Sequence, residues 1–435
     1  MSIKKGVILI WMAVVLTACY PISNVEKNLV PPLEGVHSEV LRQLIEDKYP
    51  EFVYHTPTKK TEDDPLIEVE DFYMGVNLSY VLIHEQDQGP MHLLLVQGDD
   101  KPVILFDVAC FTKEIQRIEW ADVSGDTGKE LMVSYISEGK SNGLFEVYTF
   151  GDTAEKIYTG SFNHWVYGTL ESGKTPYLYA VVETLTQEGI RLYDLEEKDP
   201  QKQFETRDSV HLDLNYGATD LQIGQVNEFQ RGVFVDGGVG AHSSVTDIVM
   251  RSEGKLKSAT QNPEGINETT FKPYYAAAKD IDSDGIIEVP FMSPAIGDEN
   301  LAMYETSWVY SWKALTKDGV WHTKATTLDT YGLGSFQFPE DWLPYLGVET
   351  VYQSDNSTDT TLLYDNGEIR EPMITFYLIP AERFDEKLYP EAIIIEKKPL
   401  YIILFTLHKG NQNRMMQLTP EEISKSFKPE PWLNE

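Results

Sequence analysis

The sequence predicts a mainly β protein, built from a long series of four-stranded repeats followed by a small α+β module. Three observations carry that prediction. From about residue 65 the chain runs in short apolar stretches such as Ser79-Tyr-Val-Leu-Ile, His92-Leu-Leu-Leu-Val and Pro102-Val-Ile-Leu-Phe, separated by Asp87-Gln-Gly and Gly98-Asp-Asp; short strands with turn residues between them read this way. Similar stretches recur in register further along the chain. Two of the recurring units share an acidic loop, best preserved as Asp280-Ile-Asp282-Ser-Asp284-Gly285-Ile286-Ile-Glu288.

The N-terminal segments precede the repeats. Residues 1–18 place Lys4-Lys5 before the apolar run Gly6–Val15 and end on Leu16-Thr17-Ala18 before Cys19. This is the charged, apolar, small-residue order of a secretory signal, and its last four residues resemble a bacterial lipobox, which implies a lipid on Cys19. Residues 19–36, with Pro31-Pro32, read as a tether that lifts a folded body off a membrane. In the lead-in at 37–64, apolar residues at 40, 41, 44 and 45 predict one short amphipathic helix, with Ser38 as a candidate cap. With Cys19 lipidated, the second cysteine, Cys110, has no disulfide partner and is expected to be a small core residue.

The repeats come next. Aligning Trp120 with Trp165 also aligns Gly128-Lys129 with Gly173-Lys174, Glu138 with Glu183, and Tyr148 with Tyr193. Aligning Asp122 with Asp280 brings Glu130 onto Glu288 and, after a short insertion, Val147-Tyr-Thr-Phe onto Val309-Tyr-Ser-Trp. A weaker copy runs through Ile223-Gly-Gln-Val-Asn, Gly232-Val-Phe-Val and Asp247-Ile-Val-Met, and the strands of Ser79–Phe106 allow another. About five units of roughly 40–55 residues, each of four short strands, suggest a β-propeller of about five or more four-stranded blades over residues 65–328. A single such sheet cannot bury its apolar face alone, and neighbouring blades bury it between them.

The acidic loop points to a hard cation. Carboxylates stand at its first, third, fifth and ninth positions and glycine at its sixth, a set of oxygens wrapped by a sharp turn. Several carboxylates converging without a cation would repel one another. An EF-hand is excluded, since Phe291 stands where its twelfth-position Glu belongs and the flanking segments read as strands.

On the residues Asp280-x-Asp282-x-Asp284-Gly285-x-x-Glu288 and Asp122-x-Ser124-x-Asp126-x-x-x-Glu130, the chain resembles the FG-GAP/VCBS-type repeats, the calcium-loop propellers typified by integrin α-chains. The resemblance implies Ca²⁺ held by Asp280, Asp282, Asp284 and Glu288, with the carbonyl of Ile286. In the other loop it implies Asp122, Ser124, Asp126 and Glu130, with the carbonyl of Gly128. There Thr127 replaces the glycine and Ser124 a carboxylate, so that loop is expected to be weaker or empty. Members of the family are often surface-exposed binding or scaffold proteins.

The last section, 329–435, has a different texture. Strands are predicted at Gly347–Tyr352, Thr360–Tyr364, Met373–Ile379, Ala392–Ile395 and Leu400–Leu407, with Asp365-Asn-Gly367 as a hairpin turn. A short helix is expected at Pro380–Leu388, and a better one at 419–427 with Thr419 as N-cap and Pro420 at N1.

Charge and motifs narrow the function. With 36 basic and 69 acidic residues and a formal charge of −33, the chain is a poor partner for nucleic acid. It has no His-x-x-x-His pair, no Gly-x-Ser-x-Gly elbow and no P-loop. Asp236-Gly-Gly-Val-Gly-Ala-His242-Ser-Ser244 looks like a site but occupies a hairpin slot of the repeat. The expectation is a lipid-anchored, exported protein on the outer face of the bacterial cytoplasmic membrane. It would bind a protein or a cell-wall glycan without catalysis. The alternative is a polysaccharide-active hydrolase with carboxylates in the propeller channel.

Overall fold

The computed structural model describes residues 36–55, 66–73, 76–84, 90–98, 101–110, 115–123, 128–136, 143–171, 177–183, 189–198, 203–330, 333–354, 356–408 and 416–429. Cys19, Ser124 and Asp126 lie outside them. The described chain is mainly β, in six antiparallel sheets of four or five strands. It divides into two units, residues 1–162 with 197–204, and residues 163–196 with 205–435.

In the first unit, helix α1 (Val36–Lys48) is followed by sheet 1: β1 (Val53–His55), β2 (Leu66–Tyr73), β3 (Val76–His84), β4 (Met91–Gln97) and β5 (Val103–Cys110). β1 and β2 share one edge of β3, and β4 and β5 follow on the other. Sheet 2 is a meander in chain order, β6 (Ile115–Ala121), β7 (Glu130–Ile136), β8 (Gly143–Phe150) and β9 (Ala154–Phe162). The two-residue period of a strand sorts the side chains of sheet 1 to its two faces. Leu78, Tyr80, Leu82, Leu93 and Leu95 meet Ile115, Leu131 and Val133 of sheet 2. Val81, Ile83, Leu94 and Val96 face the other way and are covered by Leu41 and Ile45 of α1. The helix starts at Val36, so Ser38 lies within its first turn rather than before it. Its end is pinned to the sheet by Asp107, which takes Lys48 Nζ at 2.5 Å and His92 Nδ1 at 2.7 Å.

The second unit holds four sheets. Sheet 3 is β10 (His164–Gly168), β11 (Tyr177–Glu183), β12 (Ile190–Lys198) and β13 (Gln203–His211). Sheet 4 is β14 (Ala218–Asn227), β15 (Gln230–Gly238), β16 (Ser244–Ser252) and β17 (Lys255–Ser258). Both are meanders in chain order. Sheet 5 contains β18 (Val289–Pro294), β19 (Trp308–Leu315), β20 (Trp321–Asp329) and β21 (Gly334–Phe338). Sheet 6 contains β22 (Leu346–Tyr352), β23 (Thr358–Asp365), β24 (Arg370–Pro380), β25 (Ile393–Lys397) and β26 (Tyr401–Leu407), with β26 between β24 and β25. Helix α2 (Pro420–Ser426) then leads into β27 (Phe427–Pro429), which pairs with β21 at the edge of sheet 5.

Alternation again explains the packing. In β15, Val233 and Val235 pack with Tyr179 and Leu192 of sheet 3, while Phe234 between them packs with Val289 and Leu315 of sheet 5. Sheet 5 turns Val309, Leu328 and Phe336 toward Leu362, Phe376 and Phe405 of sheet 6. Complete burial of a side chain such as Phe234 contributes about 2–3 kcal/mol. On the other face of sheet 6, Ile379, Ile402 and Leu404 are covered by Phe384, Tyr389 and Ala392.

The strands predicted in the last section are all present, each within a few residues of its expected limits. Pro380–Leu388 forms two 3₁₀ turns instead of a helix. Thr419 caps α2 in a complete capping box with Glu422. The change of module expected at residue 329 falls inside a β-hairpin, because β20 pairs directly with β21. Trp120 and Trp165 lie in the first strands of sheets 2 and 3, and Tyr148 and Tyr193 in the third.

Candidate metal centre

The loop at 280–288 joins a remnant of a strand to β18. Lys279 and Glu288 exchange both backbone hydrogen bonds, each at 3.0 Å, as an isolated bridge. In sheet 2 the equivalent pair, Ala121 and Glu130, lies in the β6–β7 ladder. The approach to the loop is held from below. Asp236 Oδ2 accepts the Ala278 N–H at 3.0 Å, and Gln222 donates to the Ala278 carbonyl at 2.6 Å. Asp236 is itself fixed by Lys272, which is fully buried and lies 3.3 Å from its Oδ1. On the far side of the loop Ile286 bridges to Gln225, and the Ile287 N–H donates to the Gln225 carbonyl at 2.9 Å. That approach needs Gly224, where a Cβ would stand 2.1 Å from Ile287 Cδ1.

Within the loop the carboxylates act first as struts for the turn. Asp280 accepts the N–H groups of Asp284 at 3.1 Å and Gly285 at 2.8 Å, and Asp284 Oδ1 accepts that of Ile286 at 2.9 Å. Gly285 takes a φ of +88°, a left-handed conformation that glycine adopts without penalty. Glu288 Oε2 accepts the Ile281 N–H at 3.0 Å. Its other oxygen, Oε1, has no hydrogen-bond partner although the residue is wholly buried. Burial, reinforced by the negative charges of Asp282, Asp284 and Asp280, pushes the Glu288 carboxyl up to about 7.

The structure brings together three of the side chains expected to converge. One oxygen each from Asp280, Asp282 and Glu288 lies within 4.8 Å of the others. Asp284 falls outside that group; its Oδ2 lies 2.5 Å from Lys324 Nζ, and that amine is also 3.8 Å from Asp282 Oδ2. Lys324 holds the Asp284 carboxyl below the usual range. These three carboxylates fit a hard divalent cation, which would supply the partner that Glu288 Oε1 lacks and offset the mutual repulsion. The sequence did not mark Lys324, Asp236, Lys272 or Gln222 as parts of the site. Only their placement in the fold reveals them.

The second loop repeats the innermost feature. Glu130 is 1% exposed, and its Oε2 accepts the Val123 N–H at 2.7 Å, as Glu288 does from Ile281. Asp122 is exposed and Gly128 buried. The Asp236–Ser244 stretch forms the β15–β16 hairpin, closed by the Val239 N–H on the Ser243 carbonyl at 3.0 Å. Asp236 faces inward to Lys272 and is 1% exposed. Among the described residues no helix is long and apolar enough to cross a membrane. No family model and no curated protein sequence matches the chain.

Proposed function

We propose that this is an exported, lipid-anchored surface protein that binds a protein or a cell-wall glycan without catalysing a reaction. In this reading its sheets are successive copies of one propeller-type repeat, related to the FG-GAP/VCBS class, and a structural Ca²⁺ is held in the loop at 280–288. The repeat is supported by meanders in chain order and by packing of successive sheets within each unit. The observation that carries the calcium is Glu288: a wholly buried carboxylate with one unpartnered oxygen, facing Asp280 and Asp282. Such a group is costly unless paired. The carboxylates are committed to the backbone of a turn, which suits a structural ion better than a reacting centre. Cys19 supplies the anchor, and the acidic surface keeps the body soluble and turns away nucleic acid.

Thermal melts in EDTA and in millimolar Ca²⁺ test this reading. Extracellular calcium modules bind at roughly 10⁻⁴–10⁻³ M, so Ca²⁺ is expected to raise the melting temperature by about 2–4 °C. Asp282→Ala should remove most of that rise. Sedimentation of the same protein with purified cell walls, beside an assay for released sugar, addresses the partner. Identical melts in EDTA and Ca²⁺ would reduce the loop to a turn, and sugar release would make the protein an enzyme.

A further inference from the structure

The cation already present at the loop is a side chain. Lys324 belongs to β20, whose pairing with β19 is irregular at this point: Lys313 pairs with Thr323 and Trp312 with Ala325, so Lys324 is the extra residue of a β-bulge. A bulge re-aims the side chain of its inserted residue. Here Nζ is delivered to Asp284 Oδ2 at 2.5 Å and stands 3.8 Å from Asp282 Oδ2. The side chain is a quarter exposed, so the contact lies at the rim of the loop. Asp284 is the fifth-position carboxylate of the ligand pattern, yet it is the one absent from the converging group of Asp280, Asp282 and Glu288.

We propose that Lys324 is a tethered counter-cation that competes with the metal by keeping Asp284 out of the coordination sphere. The proposal rests on the calcium reading above. The loop then has two arrangements. In one the lysine ammonium neutralises Asp284 and part of Asp282, and the turn keeps its shape with little or no ion. In the other a divalent ion on Asp280, Asp282 and Glu288 recruits Asp284, and Lys324 is released to solvent. Competition of this kind lowers affinity, because the ion must displace a covalently tethered charge before it gains its fourth carboxylate. It also limits the damage when the ion is lost, since the lysine is always at hand. Lys324 therefore sets the concentration at which the loop fills.

Calcium titrations of the intact protein, by calorimetry and by displacement of Tb³⁺ luminescence, test this with Lys324→Gln, Lys324→Arg, Asp284→Asn and the Lys324→Gln/Asp284→Asn double variant. Lys324→Gln is expected to tighten Ca²⁺ binding by roughly 3- to 10-fold, the scale of a partly exposed charge pair. Lys324→Arg, which keeps the charge, should stay near the wild-type value. The gain should vanish in the double variant, because Asp284 is the group released. In EDTA, Lys324→Gln should melt below the wild type. Equal affinity in wild type and Lys324→Gln, or a gain that survives Asp284→Asn, overturns the proposal while leaving the calcium site intact. Absence of Ca²⁺ and Tb³⁺ binding in every variant overturns the site and the competition together.

Discussion

The loops at 122–130 and 280–288 share their inner half and differ in their outer half. In both, a buried glutamate at the ninth position accepts the N–H of the residue seven places earlier, Val123 at 2.7 Å and Ile281 at 3.0 Å. That hydrogen bond closes each turn and requires no ion. Only the loop at 280–288 has Asp at the first, third and fifth positions and glycine at the sixth; the other has Ser124 and Thr127. The comparison separates two roles that an acidic loop can combine. The glutamate braces the turn in both loops, and only the loop at 280–288 adds aspartates that could hold a cation.

The largest expected effect comes from removing the shared part. Glu288→Ala and Glu130→Ala should each lower the free energy of unfolding by about 1–3 kcal/mol, because each strands a backbone N–H beneath a loop. Denaturant melts measure this. Calcium dependence should disappear only in Glu288→Ala; its loss in Glu130→Ala instead would reverse the assignment of the two loops. A smaller effect tests the outer half directly. Ser124→Asp combined with Thr127→Gly restores the full pattern, so it should add a second calcium-dependent rise in melting temperature of about 1–3 °C. An unchanged rise would mean that the aspartate pattern alone does not make a site in sheet 2.

The smallest effect concerns the sheets that carry the loops. Where sheet 5 has Ser311 opposite Phe291, sheet 2 has Glu146 opposite Val133, with Lys156 Nζ at 2.7 Å and the Tyr148 hydroxyl at 2.6 Å. Burial alone would raise the Glu146 carboxyl, but hydrogen bonds from Lys156, Tyr135 and Tyr148 outweigh it and hold it below the usual range. A carboxyl depressed in the folded state contributes stability above the unfolded pKa and loses it as pH falls through the folded one. Wild type should therefore lose its advantage over Glu146→Gln as pH drops below about 4. A gap between the two that stays constant down to pH 2 would show that the ion pair adds nothing.

Much of this architecture was legible because it is local. The alternation Val233-Phe234-Val235 states that a strand is buried on both faces, and Thr419-Pro420-Glu421-Glu422 spells out a helix start that forms as written. The acidic loop was legible for the same reason, since its geometry is contained within nine residues. What escaped depends on partners distant in sequence. The bulge at Lys324 is a one-residue slip that a run like Trp321-His-Thr-Lys-Ala-Thr does not advertise, because its alternation is already weak. Nor does the sequence announce that the segment before Asp280 keeps only the single bridge at Lys279, or that Ile287 will pack on Gly224 of β14. Asp236 reads as part of a turn, because nothing local says that Lys272 will reach it.

The pairing of β27 with β21 has a consequence for the order of events. Residues 427–429 complete the edge of sheet 5 only after the whole of sheet 6 has been made. A chain that emerges from its N-terminal end must hold β21 with one hydrogen-bonding edge unsatisfied through all that intervening synthesis. Contacts so far apart in sequence form slowly, and an unpaired edge invites the wrong neighbour meanwhile. The final strand thus works as a clasp. Sheet 6 becomes an insertion held between two strands of sheet 5, and sheet 5 is the last to reach its finished form.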